Sequence, residues 1–315
     1  MLQGLALVYT ASNTRLSISS YDIGIFDCYF LRTVNYVGSG GIMSVTSTNY
    51  HLQLGDSMFI NCSSSEGCGA IMFSSTSSII NRVCAHGCFT GLSQYYQFGF
   101  FQSISTNYNN ITMLSVSKCA PNNDVIRHFS FSLSSGIQSI ISTNSSNNRG
   151  YYYTGIHVIG SNSFLGRFCT ITKNDSDESI SLCVASGVNS NILELSNNVG
   201  NIQRLYSYGN TYSYGGKNQF ISCIFYNNDF CLFYVPSGSL ELISCIISHQ
   251  TNLLFQGTLT AVTNNLITAS SNIISLSIAH YSTALCQNAP IFVSTQSKIK
   301  NNHILIPVLL LILVA

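Results

Sequence analysis

The chain is 315 residues long, enough for one large domain or two ordinary ones, and 46% of it is hydrophobic, which supplies a sizeable core. Only 7% of residues are charged, against about 25% in ordinary soluble domains, and the formal net charge is +1. A chain so weakly charged exerts little pull on phosphates, which excludes nucleic acid as a partner, and its 50 Ser and 31 Asn favour turns and hydrogen-bonded rows.

At the N-terminus, "MLQGLALVYTAS" has a short apolar stretch but no basic flank and too little apolar length for a secretory signal. Either the gene product is incomplete or secretion is not its fate. "GSGG" at 38–41 lacks the Lys-Ser/Thr of a phosphate loop, and no cofactor is expected. Glu occurs only four times, and β-branched and aromatic residues are spread over the whole length, so strands fit better than helices. The clearest alternation is "FSFSLSS" at 129–135, which puts Phe129, Phe131 and Leu133 on one face and Ser130, Ser132 and Ser134 on the other. "ISLCV" at 180–184 and "LEL" at 193–195 follow the same pattern.

Toward the C-terminus, "ISCIFYNN" at 221–228 and "ISCIISHQ" at 243–250 return to one triplet after 22 positions, and Cys62 and Cys84 have the same separation. A period in the range of roughly 20 to about 25 residues points to stacked repeats. A sandwich would need hairpins, yet Asn-Gly and Asp-Gly are absent. The spacing therefore predicts an all-β parallel β-helix solenoid of short strands. About 12 to 13 coils of about 22 residues would form a rod on the order of 60 Å long. Cys223 and Cys245 are expected as neighbours in one ladder, and Cys62 and Cys84 in another. The pairs Asn197-Asn198, Asn227-Asn228 and Asn264-Asn265 suit the turns, where Asn tolerates left-handed backbone angles. Residues 1–300 form the β-helix domain in this reading, and 301–315 a hydrophobic tail.

Three motifs carry a family resemblance. "GGI" at 40–42, "FINC" at 59–62 and "CGAI" at 68–71 resemble degenerate Gly-Gly-Ala-Ile and Phe-x-x-Asn repeats of polymorphic outer-membrane-type, pectin-lyase-fold surface proteins. The Ser/Asn/Cys-rich style with an apolar C-terminal tail is similar to the large β-helix surface families of trichomonad-type protists. Phe59 departs from the pattern, being followed by Asn after one residue rather than two, while Phe225 and Asn228 keep the full spacing. The resemblance implies a right-handed parallel β-helix displayed at a cell surface as an adhesin, with no catalytic residues to carry over.

The function reading follows from what remains. Twelve cysteines include the cluster "CAHGC" at 84–88. Metal ligation by Cys84, His86 and Cys88, disulfides, and buried thiol ladders are all open readings, although the second ligand pair of a zinc site is missing. Asp175, Asp177 and Glu178 are the one tight acidic group, readable as a solvated turn or a calcium site. With so few carboxylates the chain is read as non-enzymatic, the alternative being a polysaccharide lyase or hydrolase. Tyrosines concentrate at "YYYTG" (Tyr151, Tyr152, Tyr153) and "LYSYGNTYSYGG" (Tyr206, Tyr208, Tyr212, Tyr214), either as ladders between coils or as a contact surface for a protein or glycan. Sequons at Asn61, Asn110, Asn144 and Asn174 are candidate glycosylation sites on a surface protein. "ILIPVLLLILVA" at 304–315 would span about 18 Å as a helix, short of a roughly 30 Å hydrocarbon core. It is read as a truncated transmembrane helix, a lipid-anchor signal removed in the mature protein, or a hydrophobic cap on the last coil, with a cell-surface or membrane-associated location.

Overall fold

The computed structural model describes residues 8–10, 22–32, 34–91, 96–104, 106–119, 129–177, 182–185, 190–203, 209–228, 232–248, 255–263 and 265–267. Every regular element among them is a β-strand, and the strands of successive coils pair in parallel. The chain is thus a parallel β-solenoid. Each coil contributes a strand to three sheets in turn, as Ile156–Ile159, Ser163–Arg167 and Thr170–Thr172 do. A short fourth segment joins some coils, forming two small three-stranded stacks: Val34–Ser39, Ser63–Glu66 and Phe89–Thr90, then Arg149–Gly150, Asp175–Ser176 and Ile202–Gln203.

The second sheet gives the longest view of the stack. Its strands follow one another as Asp22–Phe26, 51–55, 77–81, 108–112, Ile137–Ile141, Ser163–Arg167, Ser190–Glu194, 217–221, 239–243 and 259–263. Coil length is not constant. One turn carries Ser78 to Asn109 and another His51 to Ser77, whereas nearer the C-terminal end Lys217 pairs with Ser239 and Glu241 with Ala261. The step between equivalent positions therefore shrinks from 31 in the first of these to 20 in the last. The 22-position step holds only near the C-terminal end, so the described stack has fewer coils than a constant period predicts.

Corners explain how so short a strand reverses. Among the described residues, second-sheet strands are followed by one residue with a left-handed backbone, at Asp27, Asp56, Arg82, Met113, Ser142, Phe168, Leu195, Ser222 and Ser244, with φ between 47° and 56°. After third-sheet strands another described residue does so, including Asn61, Lys118, Asn147, Lys173 and Asn227. The residue that follows then points inward and stacks on its equivalents. At the corner after the third sheet this row runs Cys62, Cys88, Cys119, Asn148, Asn174, Asn201, Asn228, all buried.

Each asparagine in that row bridges to the preceding coil. Asn174 Oδ1 accepts the backbone N–H of Asn148 at 3.0 Å, and its Nδ2 donates to the Ser145 carbonyl at 3.0 Å. Asn201 does the same for Asn174 and Ile171, and Asn228 for Asn201 and Asn198. Two of the cysteines, Cys62 and Cys88, make the donor half of this contact, while Cys119 Sγ turns to the Ser117 carbonyl of its own coil. Cys62 Sγ reaches the Phe30 carbonyl at 3.4 Å and Cys88 Sγ that of Phe59 at 3.4 Å. A matching row at the corner after the second sheet includes Cys169, Ser196, Cys223 and Cys245, whose thiols reach the carbonyls of Ile140, Leu193 and Phe220.

Cys223 and Cys245 are therefore adjacent ladder members, as their spacing predicts. Cys62 and Cys84 are not. Cys84 pairs with Met58 within the third sheet, and the neighbour of Cys62 is Cys88, because that coil is longer than the 22-position step. Asn197 and Asn198 also depart from expectation: they lie in the strand Asn197–Val199, buried, rather than in a turn. Asn227 and Asn228 do form the corner.

The core fills the space between sheets with phenylalanines toward both ends: Phe30, Phe59, Phe98 and Phe101 at one, and Phe220, Phe225 and Phe233 at the other. Between them, inward polar side chains satisfy one another. Ser78 Oγ donates to Asn109 Oδ1 at 2.7 Å, and Asn109 Nδ2 to Gln138 Oε1 at 3.1 Å. Phe131 and Leu133 are inward as expected, but Phe129 is only half-buried because the pairing slips between Tyr96 and Gly99, and it joins an aromatic group outside the core. Leu195 likewise leaves the face of Leu193 to take an exposed corner.

Asn201→Ala removes the acceptor for the Asn174 N–H and the donor for the Ile171 carbonyl, both buried, and should cost about 2–4 kcal/mol in urea unfolding. Asn201→Cys keeps a donor and should cost less than half as much.

Candidate functional site

The outward positions of the first sheet place Phe100, Ser132, His157, Cys183, Tyr212 and Tyr234 on successive strands. Tyr96 pairs in register with Phe129 beside them. The segment 151–155 then folds back over this row, and Tyr153, with φ at 29°, lays its ring parallel to His157 at 4.7 Å and 8°. Phe129 covers the same imidazole at 4.5 Å and also stacks on Tyr153 at 5.2 Å. His157 is thereby enclosed by two rings and buried.

Its remaining contact is polar: Nδ1 lies 2.8 Å from Ser132 Oγ on the preceding strand. Burial pulls the imidazole pKa down to about 3, so the ring is neutral at any physiological pH. On the next strand, burial pushes the Cys183 thiol up, opposed by a hydrogen bond with Tyr153. Neither group is poised as a base or a thiolate nucleophile in this arrangement. Cys183 is small, and across it Tyr153 meets Tyr212 at 6.2 Å. Tyr212 continues to Tyr214 at 6.1 Å and to Tyr234 at 5.6 Å. Tyr151 and Tyr152 meet edge-on at 4.7 Å, and Tyr152 lies 6.0 Å from Tyr153. The result is one connected row of rings, most of them half-buried, with Tyr214 47% exposed.

Five of the seven tyrosines singled out in the sequence are thus brought together. Tyr206 and Tyr208 lie outside the described residues, as do Glu178, Asn264 and the tail 301–315. Sequence reading missed Tyr96, Phe129, His157 and Tyr234. For Tyr234 the signal was present, since it follows Tyr212 by the same step that separates Cys223 from Cys245.

The other candidates are dispersed. Within "CAHGC", Cys84 is disulfide-bonded, His86 Nδ1 meets Ser117 Oγ at 3.0 Å, and Cys88 turns inward as a free thiol of the corner row. Among the described residues no group of three or more His, Cys, Asp or Glu is arranged to hold a metal ion. Asp175 stands 3.9 Å from Arg149 of the preceding coil. Of the sequons, Asn144 and Asn174 are buried and donate through Nδ2, Asn144 to Ser115 and Asn174 into the corner row, whereas Asn61 is exposed and Asn110 half-buried. No protein-family model, curated protein or solved structure matches the chain.

The unfolded chain protonates His157 near 6.5 and the folded one near 3, so the unfolded state binds more protons between those values. Stability from this group is complete above about pH 6.5 and falls by roughly 1.4 kcal/mol per pH unit as pH drops through the window. His157→Phe should flatten that slope between pH 6.5 and 4, measured by urea midpoints at each pH.

Proposed function

We propose that the chain is a non-enzymatic β-helix protein displayed at a cell surface, which works by adhesion and contacts a protein or glycan through the aromatic row of its first sheet. The observation that carries this reading is the continuity of Tyr151, Tyr152, Tyr153, Tyr212 and Tyr214, five rings joined by contacts of 4.7 to 6.2 Å. Tyrosine gives large contact area at low entropic cost, and its flat face suits sugar rings and protein side chains alike. His157 and Cys183 support the same reading, because burial keeps both uncharged and the surface above them recognises by shape and π-faces rather than by charge. The resemblance to right-handed β-helix surface families fits a rigid rod that holds such a row in place.

A glycan array and pull-down from host-cell surface extracts would supply a ligand. Tyr212→Ala should then weaken binding at least tenfold, about 1.4 kcal/mol, with an unchanged far-UV circular dichroism spectrum. Undiminished binding, or turnover of a polysaccharide that disappears in Asp175→Ala, overturns the proposal.

The proposed membrane partner is reached through the tail, where "ILIPVLLLILVA" supplies uninterrupted apolar area. Expressed whole in a eukaryotic cell, the chain should fractionate with membranes, and Leu310→Arg should release it, because a cation inside such a segment costs roughly 2.5–3.5 kcal/mol. Equal solubility of both forms would remove the membrane from the proposal.

A further inference from the structure

The three sheets differ in what faces outward. Outward positions of the third sheet are largely buried, among them Met58, Cys84, Ser115 and Asn144, and those of the first carry the aromatic row. The second sheet stands open. At its centre Tyr108 and Ile137 pair directly on adjacent strands, 46% and 47% exposed. Ile79 is exposed two strands before Ile137, and Leu165 pairs with Ile192 on the following two.

The adjoining corner adds Met113, Phe168 and Leu195, all exposed and all in the left-handed conformation. That backbone is unfavourable for a residue bearing a side chain, and the other corners of the same row use Asp, Arg or Ser. Packing among the described residues does not explain three large apolar groups held there.

We propose that this outward face of the second sheet is a self-association surface that takes a second copy of the chain; the proposal does not rest on the adhesive reading. Charge supports it first. The two central strands, 108–112 and Ile137–Ile141, carry none, while ion pairs flank them: Asp56 with Arg82 toward one end, Arg167 with Glu194 and Lys217 with Glu241 toward the other. An apolar, uncharged centre inside a charged rim is the anatomy of a protein interface.

A two-fold axis along the Ile137 strand reverses coil order in the partner. It sets the strand bearing Arg82, two before the centre, against the strand bearing Glu194, two after it, so opposite charges meet there; at the far end Asp22 comes against the strand of Glu241, whose charge Lys217 offsets. Area supports it second. Ten strands at about 4.8 Å and about five residues at about 3.3 Å give a face of roughly 43 by 17 Å, about 700 Å² per copy. A standard interface takes about 800 Å² from each partner with a spread of about 200 Å², so the whole face falls within that range and half of it does not.

The test uses the full chain in sedimentation velocity up to about 100 μM. The native chain should sediment as a dimer, and Ile137→Lys, with an unchanged circular dichroism spectrum, should raise the dissociation constant at least tenfold. A second variant is independent of any loss of folding by the first. Ser139→Cys, outward on the strand at the axis, should cross-link to its own copy with a short bis-maleimide, whereas Ser239→Cys near the end should not. A monomeric native chain at the highest concentration, a dimer indifferent to Ile137→Lys, or phosphatidylcholine vesicle binding that Ile137→Lys abolishes would each overturn the proposal.

Discussion

The described coils of this protein turn their corners through left-handed residues, and the backbone groups left over at those corners must be satisfied by the next coil. A sheet settles its own N–H and C=O groups between strands, but a corner has no strand. The buried N–H of Asn148, Asn174 and Asn201 and the carbonyls of Ser145, Ile171 and Asn198 are each met by one asparagine amide from the coil that follows. An amide can accept and donate at once, so one side chain closes both ends of the gap. A thiol donates weakly and accepts more weakly still, and Cys62 and Cys88 of the same row satisfy the carbonyl alone. Cys28, Cys62, Cys88, Cys119, Cys169, Cys223 and Cys245, each following a left-handed residue, thereby read as corner pieces. Nine of the ten described are free and buried, and desolvation pushes Cys68, Cys88, Cys169, Cys183 and Cys223 above the usual thiol range.

That constraint decides what was legible in the sequence. The return of Ile-Ser-Cys at 221 and 243 is a corner repeating itself, and it reveals the solenoid correctly. The general form of the signal is an inward strand residue followed three positions later by Asn or Cys: Phe59 and Cys62, Ala85 and Cys88, Ile171 and Asn174, Phe225 and Asn228. Reading Phe59 with Asn61 misses it by one place, because Asn61 is the left-handed residue and Cys62 the ladder member. Cys62 and Cys84 share the spacing of Cys223 and Cys245 by coincidence. Steps between paired positions run from 31 for Ser78 and Asn109 to 20 for Glu241 and Ala261, so no constant period runs through the described coils.

The aromatic row was half legible for a related reason. Clustering in sequence identifies Tyr151 to Tyr153 and Tyr212 with Tyr214, but nothing local joins the two groups. They meet because His157, Cys183 and Tyr212 occupy one column on three successive strands, and Cys183 is small enough for Tyr153 to reach across. Phe129 looked like core in an alternating stretch. The slipped pairing at Tyr96 frees it to cover His157, a tertiary effect with no mark in the alternation itself.

In-register stacking also accounts for the scarcity of charge. Equivalent side chains on adjacent coils sit about 4.8 Å apart, where like charges repel by about 1 kcal/mol even in water and by more near a protein surface. Repeating one charge along a column multiplies that cost, while repeating Ser, Asn or an apolar group does not. The ion pairs described above obey the rule: Asp56 with Arg82, Arg149 with Asp175, Arg167 with Glu194 and Lys217 with Glu241 each join neighbouring coils with opposite signs. Being partly exposed, they add little stability, about 0–1 kcal/mol apiece, and act mainly to cancel one another. A solenoid built this way has little net field with which to attract a ligand, so the specificity of its faces must come from shape, rings and hydrogen bonds.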